Sequence, residues 1–337
     1  MSKHRSGDYA FGCSVIRSNE KNLLSKADLT RVLEAKDMQA AMTILGEFGY
    51  GDSKDMTASA QRPFEEILRK EQERANDLCL SVAPDKRELN LFYLPIDYHN
   101  AKTILKAEFL ETDPNPYLMD GGTVTKEKLM EYIRERNFTF MDGGLKEALP
   151  PLIESFAKVK DPQEIDLALD KACYKEMADL AKETDRKFLI DYVKLLVDLT
   201  NVVTFVRLRQ IGKPWTFFQK VFLEGGSINE REFTTNYEDD YQQFAEKLFS
   251  YGFDQIFSRG AEQVEKEGKY WLLEKLCDDA RIEYMKKARF ITLGVEPILA
   301  YMVAKEMENK NLRIILAAKQ AGVEATSIAE RLRETYA

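Results

Sequence analysis

Two short patterns each recur three times along this 337-residue chain, in the same order and at steps of about 100 residues. The first is an acidic residue followed three positions later by asparagine and then by an apolar run. Unrelated coincidences would rarely keep both order and step, so the patterns predict three related helical units, which we call repeats one to three. Their predicted bounds are 1–110, 111–211 and 212–337. The acidic residue and asparagine of each copy are Asp97 with Asn100, Asp198 with Asn201, and Glu308 with Asn311.

The second pattern is a turn that leads into a helix. A Gly-Gly pair forms part of it at 121–122 and at 225–226, and a fainter copy without glycine begins at Leu24. Each copy ends on a residue whose side-chain oxygen can accept a hydrogen bond from the first free N–H groups of a helix. The predicted N-cap residues are Ser25, Thr125 and Asn229. The glycines are expected to supply positive φ in the turn.

Helix signals occur almost everywhere, and the sequence has no convincing alternating run bounded by hairpin turns. Asp161 followed by Pro162 is typical of a helix start. From Leu189 onward, apolar residues three and four positions apart predict a long helix that ends at Gly212. Ser327 and Glu330 predict a capping box for a last short helix. We therefore predict an all-α fold, with roughly five or six helices per repeat.

Charge and cysteine usage exclude several classes of protein. The net charge is -8, from 49 Lys and Arg against 57 Asp and Glu, and each repeat is itself acidic. A nucleic-acid binder needs a basic face that displaces counterions, so we expect no nucleic-acid partner. The four cysteines form no C-x-x-C pair, and only His4 and His99 could join them as ligands. We expect buried free thiols and no metal site.

The sequence shows no membrane-targeting segment. Its first ten residues lack the apolar region of a signal peptide. The longest apolar stretch, from Phe290 to Ala304, is interrupted by Glu296 and Pro297 and is too short to cross a bilayer. We expect the chain to stay in the compartment where it is made, and any membrane role to act through a protein partner.

Motifs for catalysis and cofactor binding are missing. No phosphate-binding loop occurs, and the glycines at 46, 49 and 51 do not have the spacing of a dinucleotide fingerprint. His99 lies beside Asp97, but Thr200 and Lys310 take its place in repeats two and three. A surface or boundary histidine is therefore favoured over a catalytic one. We predict no catalytic, cofactor-binding or metal-ligating residues, and no cofactor.

The repeating asparagines carry more weight, because asparagine is a poor residue for a helix interior. The favoured interpretation is that Asn100, Asn201 and Asn311 hydrogen-bond a neighbouring helix or loop and fix the packing of each bundle. Asp97 and Asp198, three residues earlier on the same helical face, are expected to assist. The alternative is direct contact with a partner protein.

These residues resemble the C subunit of V-type and A-type rotary ATPases, whose eukaryotic relative is the d subunit. The most specific stretch runs from Gly294 to Arg313 and reads G-V-E-P-I-L-A-Y-x-x-A-K-E-x-E-x-x-N-L-R. The D-x-x-N pairs of repeats one and two, Tyr9-Ala10 and Leu23-Leu24-Ser25 extend the likeness over essentially the whole chain. Val295 departs from the small or proline residue expected after Gly294.

The resemblance implies three similar helical bundles arranged as a pseudo-threefold funnel. It implies a non-catalytic adaptor that seats the central-stalk subunits on the membrane rotor ring and transmits rotation during proton or sodium transport, from a peripheral position on the cytoplasmic side. Two other classes remain open. An unrelated helical-repeat scaffold would stack its units as an open solenoid. A helical enzyme would need a polar pocket with convergent titratable groups.

Overall fold

The computed structural model describes residues 6–51 and 63–337 of the chain. Helices dominate these residues, and none of them forms a β-strand. This confirms the predicted all-α class. His4, which the sequence offered as a possible metal ligand, lies outside the described residues.

Sixteen α-helices occur in the described part of the chain, and none of these is long and apolar enough to cross a membrane. Short 3₁₀ turns and one π-helical turn, Ile256–Ala261, connect some of them. The α-helices are α1 Ala10–Glu20, α2 Lys26–Glu34, α3 Met38–Glu47, α4 Pro63–Val82, α5 Asn90–Leu110, α6 Lys126–Arg134, α7 Gly144–Val159, α8 Pro162–Thr184, α9 Lys187–Gln210, α10 Trp215–Val221, α11 Glu230–Thr235, α12 Tyr241–Lys247, α13 Glu262–Glu267, α14 Trp271–Lys286, α15 Glu296–Gln320 and α16 Ala325–Ala329.

The helices form two compact units. The first comprises the described residues of Met1–Pro84 together with Glu238–Ala337, and the second comprises Asp85–Tyr237. Compactness and sequence recurrence are different criteria, because a repeat can share its core with a neighbour. The division into three repeats and their funnel arrangement stay predictions.

Helix α15 is the central element of the first compact unit. Most of its 25 residues are buried, including the charged residues Lys305 and Glu308. Helices α1, α2, α3, α4, α14 and α16 all pack against it. A helix that is surrounded on all sides cannot be amphipathic, which explains why its apolar residues do not form a single stripe. Leu312, Ile315 and Leu316 join the apolar cluster that α2, α3 and α4 bury.

The second compact unit is organised around α5, α8 and α9. Helix α5 packs against α6 and α8, while α8 also packs against α7 and α9, and α10 contacts α9 and α11. Phe205 of α9 lies at the centre of an aromatic group. Its ring centroid lies 5.5 Å from Phe218, 5.3 Å from Phe233 and 5.2 Å from Tyr237. Such edge and tilted contacts fix the directions of these rings as well as burying their area.

Two of the predicted helix boundaries, the start of α8 and the end of α9, are confirmed. Asp161 accepts a hydrogen bond from Gln163 N as the N-cap of α8, and α9 ends just before Gly212, which has a φ of +68°. The capping box predicted at Ser327 is wrong. Glu324 already has the extended conformation of an N-cap, so α16 begins before Ser327 and contains it.

The four cysteines are buried free thiols, as predicted. Burial raises the pKa of Cys79, Cys173 and Cys277 to about 12 because a thiolate loses its hydration in an apolar surrounding. These thiols therefore stay protonated at neutral pH and serve as small apolar groups in the packing.

Candidate functional site

Asp97 and Asn100 of α5 together hold the loop that follows their helix. The side-chain amide of Asn100 donates to Met119 O at 2.8 Å, and its oxygen accepts from Met119 N at 2.8 Å. Asp97 accepts from the N–H groups of Thr123 and Val124 at 2.9 and 3.2 Å. We call this arrangement of an acid, an asparagine and the backbone they hold a clasp. Clasp one is formed by these residues.

Clasp two repeats the geometry on α9. Asn201 donates to Leu223 O and accepts from Leu223 N, both at 2.9 Å. Asp198 accepts from Ser227 N at 2.8 Å and from Ile228 N at 3.1 Å. Both clasp asparagines are at most 1% exposed, and leaving such buried backbone groups unpaired would be costly. In each loop, the asparagine amide thus bonds both the N–H and the C=O of one residue, as a neighbouring backbone would in a helix or strand.

The second glycine of each loop pair is required by the carboxylate. A Cβ at Gly122 would lie 2.1 Å from Asp97 Oδ1, and a Cβ at Gly226 would lie 2.1 Å from Asp198 Oδ1. The first glycine of each pair, Gly121 or Gly225, has a φ above +90°, as the turn prediction expected. The two glycines therefore serve different purposes: one supplies left-handed backbone and the other supplies space.

Clasp three, on α15, uses the same residue types with a different partner arrangement. Asn311 donates to Arg333 O at 3.1 Å and accepts from Arg333 N at 2.8 Å. Glu308 accepts from the N–H of Leu24, which is 284 positions away in the chain. Because glutamate is one methylene longer than aspartate, its second oxygen also reaches Tyr50 and Lys305.

The three clasps connect the two sequence patterns to each other. In every case the acidic side chain accepts a hydrogen bond from the residue just before a predicted N-cap: Val124 before Thr125, Ile228 before Asn229 and Leu24 before Ser25. In terms of the predicted repeats, the acid of each one holds the helix start of the next, and the acid of predicted repeat three holds that of predicted repeat one.

The predicted N-caps differ in how they act. Ser25 forms a full capping box with Asp28, and Thr125 accepts from Lys128 N. Asn229 occupies the N-cap position of α11, but its side chain makes no capping hydrogen bond. Its own backbone carbonyl already accepts from Glu232 N at 3.0 Å, so the N–H group that the side chain would have satisfied is taken. The side-chain capping predicted for Asn229 is wrong.

All three clasp helices also end in the same way. A residue with positive φ follows the helix, and the next N–H bonds back to a carbonyl five residues earlier, as in a Schellman motif. The positive-φ residues are Glu111 at +53°, Gly212 at +68° and Gly322 at +70°. Each lies eleven positions after its clasp asparagine. The helix end at Glu111 could not be predicted from the sequence, because glutamate is not a residue type that signals positive φ.

Burial controls the electrostatics of clasps one and two. It raises the pKa of Asp97 and Asp198, and the donating loop groups offset this only in part. In clasp three a cation compensates the buried charge. Lys305 Nζ lies 2.6 Å from Glu308 and 3.1 Å from Glu71, while burial and the charge of Glu308 raise the pKa of Tyr50 well above its usual range. Lys305 belongs to the stretch that carries the family resemblance, but no sequence pattern singled out Tyr50 or Glu71.

Exposed apolar side chains lie beside clasp one and just after the end of α9, the helix that carries clasp two. Met119, whose backbone Asn100 holds, is 48% exposed. Tyr117, whose carbonyl lies 3.2 Å from His99 Nε2, is 69% exposed. Ile211 follows the last residue of α9 and is 64% exposed, and Trp215 at the start of α10 is 44% exposed. Clasp one thus fixes the backbone of a segment whose apolar side chains face solvent.

The clasp residues engage backbone groups rather than converging on an open pocket. Among residues 6–51 and 63–337, no group of three or more His, Cys, Asp or Glu side chains is placed to hold a metal ion. His99, half-buried on α5, has the boundary position that its sequence context favoured. The chemistry this arrangement supports is the fixing of loops and helix starts.

Comparison with known proteins adds to this geometry. The family model described as ATP synthase (C/AC39) subunit matches residues 13–331. The C subunit of the V-type sodium ATPase of Enterococcus hirae is 22% identical over 324 residues, which cover 96% of this chain and 97% of that protein. The C subunit of the A-type ATP synthase of Thermococcus onnurineus is 25% identical over 337 residues, covering 96% and 89%. That of Pyrococcus abyssi is also 25% identical, covering 97% and 90%.

The match includes most clasp residues and all three clasp helices, so it covers the recurring architecture as well as isolated motifs. The resemblance to the C subunit of V-type and A-type ATPases, noted in the sequence, is confirmed. Because the model spans nearly the whole length, this chain belongs to the ATP synthase (C/AC39) subunit family.

Proposed function

We propose that this chain is a non-catalytic adaptor that seats the central stalk of a rotary ATPase on its membrane rotor ring. The coarser statement, that it is a subunit of a V-type or A-type ATPase, rests on the family and on relatives named as the C subunit of such enzymes. The adaptor would sit peripherally on the cytoplasmic side and transmit rotation during ATP-coupled proton or sodium transport. Its partners would be the stalk subunits and the ring.

The observation that carries the proposal is the use of the buried polar groups. Asp97, Asn100, Asp198 and Asn201 are at most 1% exposed and bond loop backbone. A catalytic acid or base must face substrate, whereas these groups are sealed against their own chain. Rigid loops suit a part that must transmit force without deforming.

The exposed apolar residues beside clasp one and just after α9 support contact with protein partners. Tyr117, Met119, Ile211 and Trp215 present aromatic and long apolar side chains from backbone that the clasps or helix ends hold in place. Side chains of these types dominate binding energy at protein interfaces, particularly when they are held in place before binding. We propose that these residues contact a neighbouring protein of the ATPase.

The direct test asks whether this chain restores the coupling of ATP hydrolysis to ion transport. Membranes that carry the ATPase but lack this chain should hydrolyse ATP without efficient ion transport, and adding the purified chain should restore ATP-driven transport. If hydrolysis itself needs this chain, or if transport is unaffected by it, the adaptor proposal is wrong.

A second test addresses the proposed contact. Replacing Tyr117 and Met119 together by Ser should leave the unfolding midpoint nearly unchanged, because both side chains are exposed. It should weaken binding to the rest of the complex about tenfold or more, as expected for interface anchors. Val159→Ser, which alters an exposed apolar residue at the end of α7, serves as the matched control. Equal binding of the unaltered chain, the double variant and the Val159→Ser control would contradict this contact.

A further inference from the structure

Clasp three differs from the other two in how its backbone partners are connected. In clasps one and two, one continuous loop supplies both the residue held by asparagine and the residues held by aspartate. In clasp three, Asn311 holds Arg333 and Glu308 holds Leu24, two residues from opposite parts of the chain. No covalent link of a few residues keeps them together.

We propose that clasp three is a cooperative lock, in which the segment Arg333–Tyr336 acts as a strap and opening of the strap releases the helix start at Leu24. The strap takes the position relative to Asn311 that the loop residues Met119 and Leu223 take relative to Asn100 and Asn201. Leu24 takes the position of Val124 and Ile228. Two separate segments thus replace one loop.

The strap is held by side chains only. It follows α16 and has no helix or strand hydrogen bonds of its own. Arg333 is 7% exposed, and its Nε lies 2.9 Å from Asp278 Oδ2. Glu334 N donates to Asp279 Oδ1 at 2.7 Å. The guanidinium of Arg289 lies 4.7 Å from the ring centroid of the buried Tyr336. If these side-chain contacts were lost, no helix or strand hydrogen bonds would hold the strap in place.

Direct contacts couple the strap to the segment around Leu24. Tyr336 OH lies 3.3 Å from Glu20 Oε1, and Glu334 lies 4.0 Å from Lys26. Leu23, Leu24, Thr335 and Tyr336 together line a cavity of only about 10 Å³ against α15, which is at the lower limit for one water molecule. The two segments therefore pack on each other as well as on α15, so displacing one exposes the other.

Glu308 extends the lock to two further helices. Its carboxylate accepts from Tyr50, which follows α3, and pairs with Lys305, which also contacts Glu71 of α4. When Leu24 leaves, Glu308 loses a backbone donor inside a closed environment. Opening of the lock would consequently loosen the start of α2.

Hydrogen exchange of the full chain, followed by mass spectrometry, tests the coupling. Asn311→Leu removes only the strap side, yet peptides covering 21–34 should exchange about tenfold faster, because loss of a buried hydrogen-bond pair raises local opening by that order. Peptides covering 222–235 should be unchanged. Asn201→Leu is the matched control. It should accelerate exchange at 222–235 and leave exchange at 21–34 unchanged.

A milder variant keeps the test decisive if Asn311→Leu does not fold. Tyr336→Phe deletes the hydroxyl that contacts Glu20 and leaves the ring, and it should accelerate exchange at 21–34 by a smaller factor. If either variant accelerates exchange in 331–337 alone, the two segments are held independently and the lock is wrong. Equal acceleration throughout the chain would mean global destabilisation and would also overturn it.

Discussion

Gly226 lies so close to Asp198 that a Cβ on it would be 2.1 Å from the Oδ1 atom of the carboxylate. Asp198 uses that oxygen to accept from Ile228 N at 3.1 Å. The glycine and the acid are therefore one structural feature, although they belong to different predicted repeats. The same relationship holds between Gly122 and Asp97.

We predict that Gly226→Ala lowers the free energy of unfolding by about 1–3 kcal/mol, the range for a buried clash or a lost buried hydrogen bond. The added methyl must displace the carboxylate from Ser227 and Ile228. Gly7→Ala is the control, since a Cβ at Gly7 has no neighbour within 4 Å. Denaturant titration measures both, and equal stability of the two variants would contradict the close approach.

Asn201→Leu should lower the free energy of unfolding by about 1–3 kcal/mol, because the N–H and C=O of Leu223 would both lose their partner in a buried site. Thermal unfolding checks this, with the exposed Asn22→Leu as control. An unchanged midpoint together with lost assembly would instead favour a direct partner contact by Asn201.

The acids of the clasps should give a characteristic pH dependence. Burial raises the pKa of Asp198 above its usual value of 3.8. A carboxyl with a higher pKa in the folded chain contributes most to stability below its unfolded pKa, and this contribution is lost as pH rises through the folded pKa.

The variant Asp198→Asn cannot ionise, so it lacks that loss. We predict that the unfolding free energy of the wild type minus that of the variant decreases as pH rises from about 4 to 7. Urea titrations at several pH values measure the difference. An increase with pH would show that the N–H donors, rather than burial, dominate the pKa.

The left-handed ends of the clasp helices predict a different response at each copy. Gly212→Ala and Gly322→Ala should each cost about 1 kcal/mol, because both glycines have positive φ and open space around them, so only backbone strain changes. Glu111→Gly should be much closer to neutral, since relief of strain is offset by greater freedom of the unfolded chain. A cost at Glu111 equal to that at Gly212 would argue against strain as the cause.

The sequence was sufficient to name the acids and asparagines of the clasps, because poor helix formers recurring inside apolar runs need a specific reason. It could not name their partners. Asn201 reaches Leu223 and Asn100 reaches Met119, and the different lengths of the two connections hide the equivalence. The contact between Glu308 and Leu24 spans 284 positions, which no local pattern encodes.

Two further features depended on backbone geometry rather than residue type. Glu111 adopts positive φ without being glycine, so the first Schellman end was not visible in the sequence. Asn229 has a favoured N-cap residue type, yet its backbone carbonyl takes the N–H group that its side chain would have bound. Residue preferences describe an average environment. In a particular turn, the backbone geometry determines whether a side-chain oxygen or a backbone carbonyl accepts the hydrogen bond.

The central claim is that this chain joins the stalk of a rotary ATPase to its ring. Affinity isolation of the tagged full-length chain from the cell that makes it, with quantification of the bound proteins, tests this most directly. We predict that central-stalk and rotor-ring subunits dominate the bound fraction at low salt. At higher salt the ring proteins should be released first, because exposed ion pairs are screened, while the stalk stays bound through apolar contacts. A bound fraction without stalk and ring proteins at low salt would contradict the account.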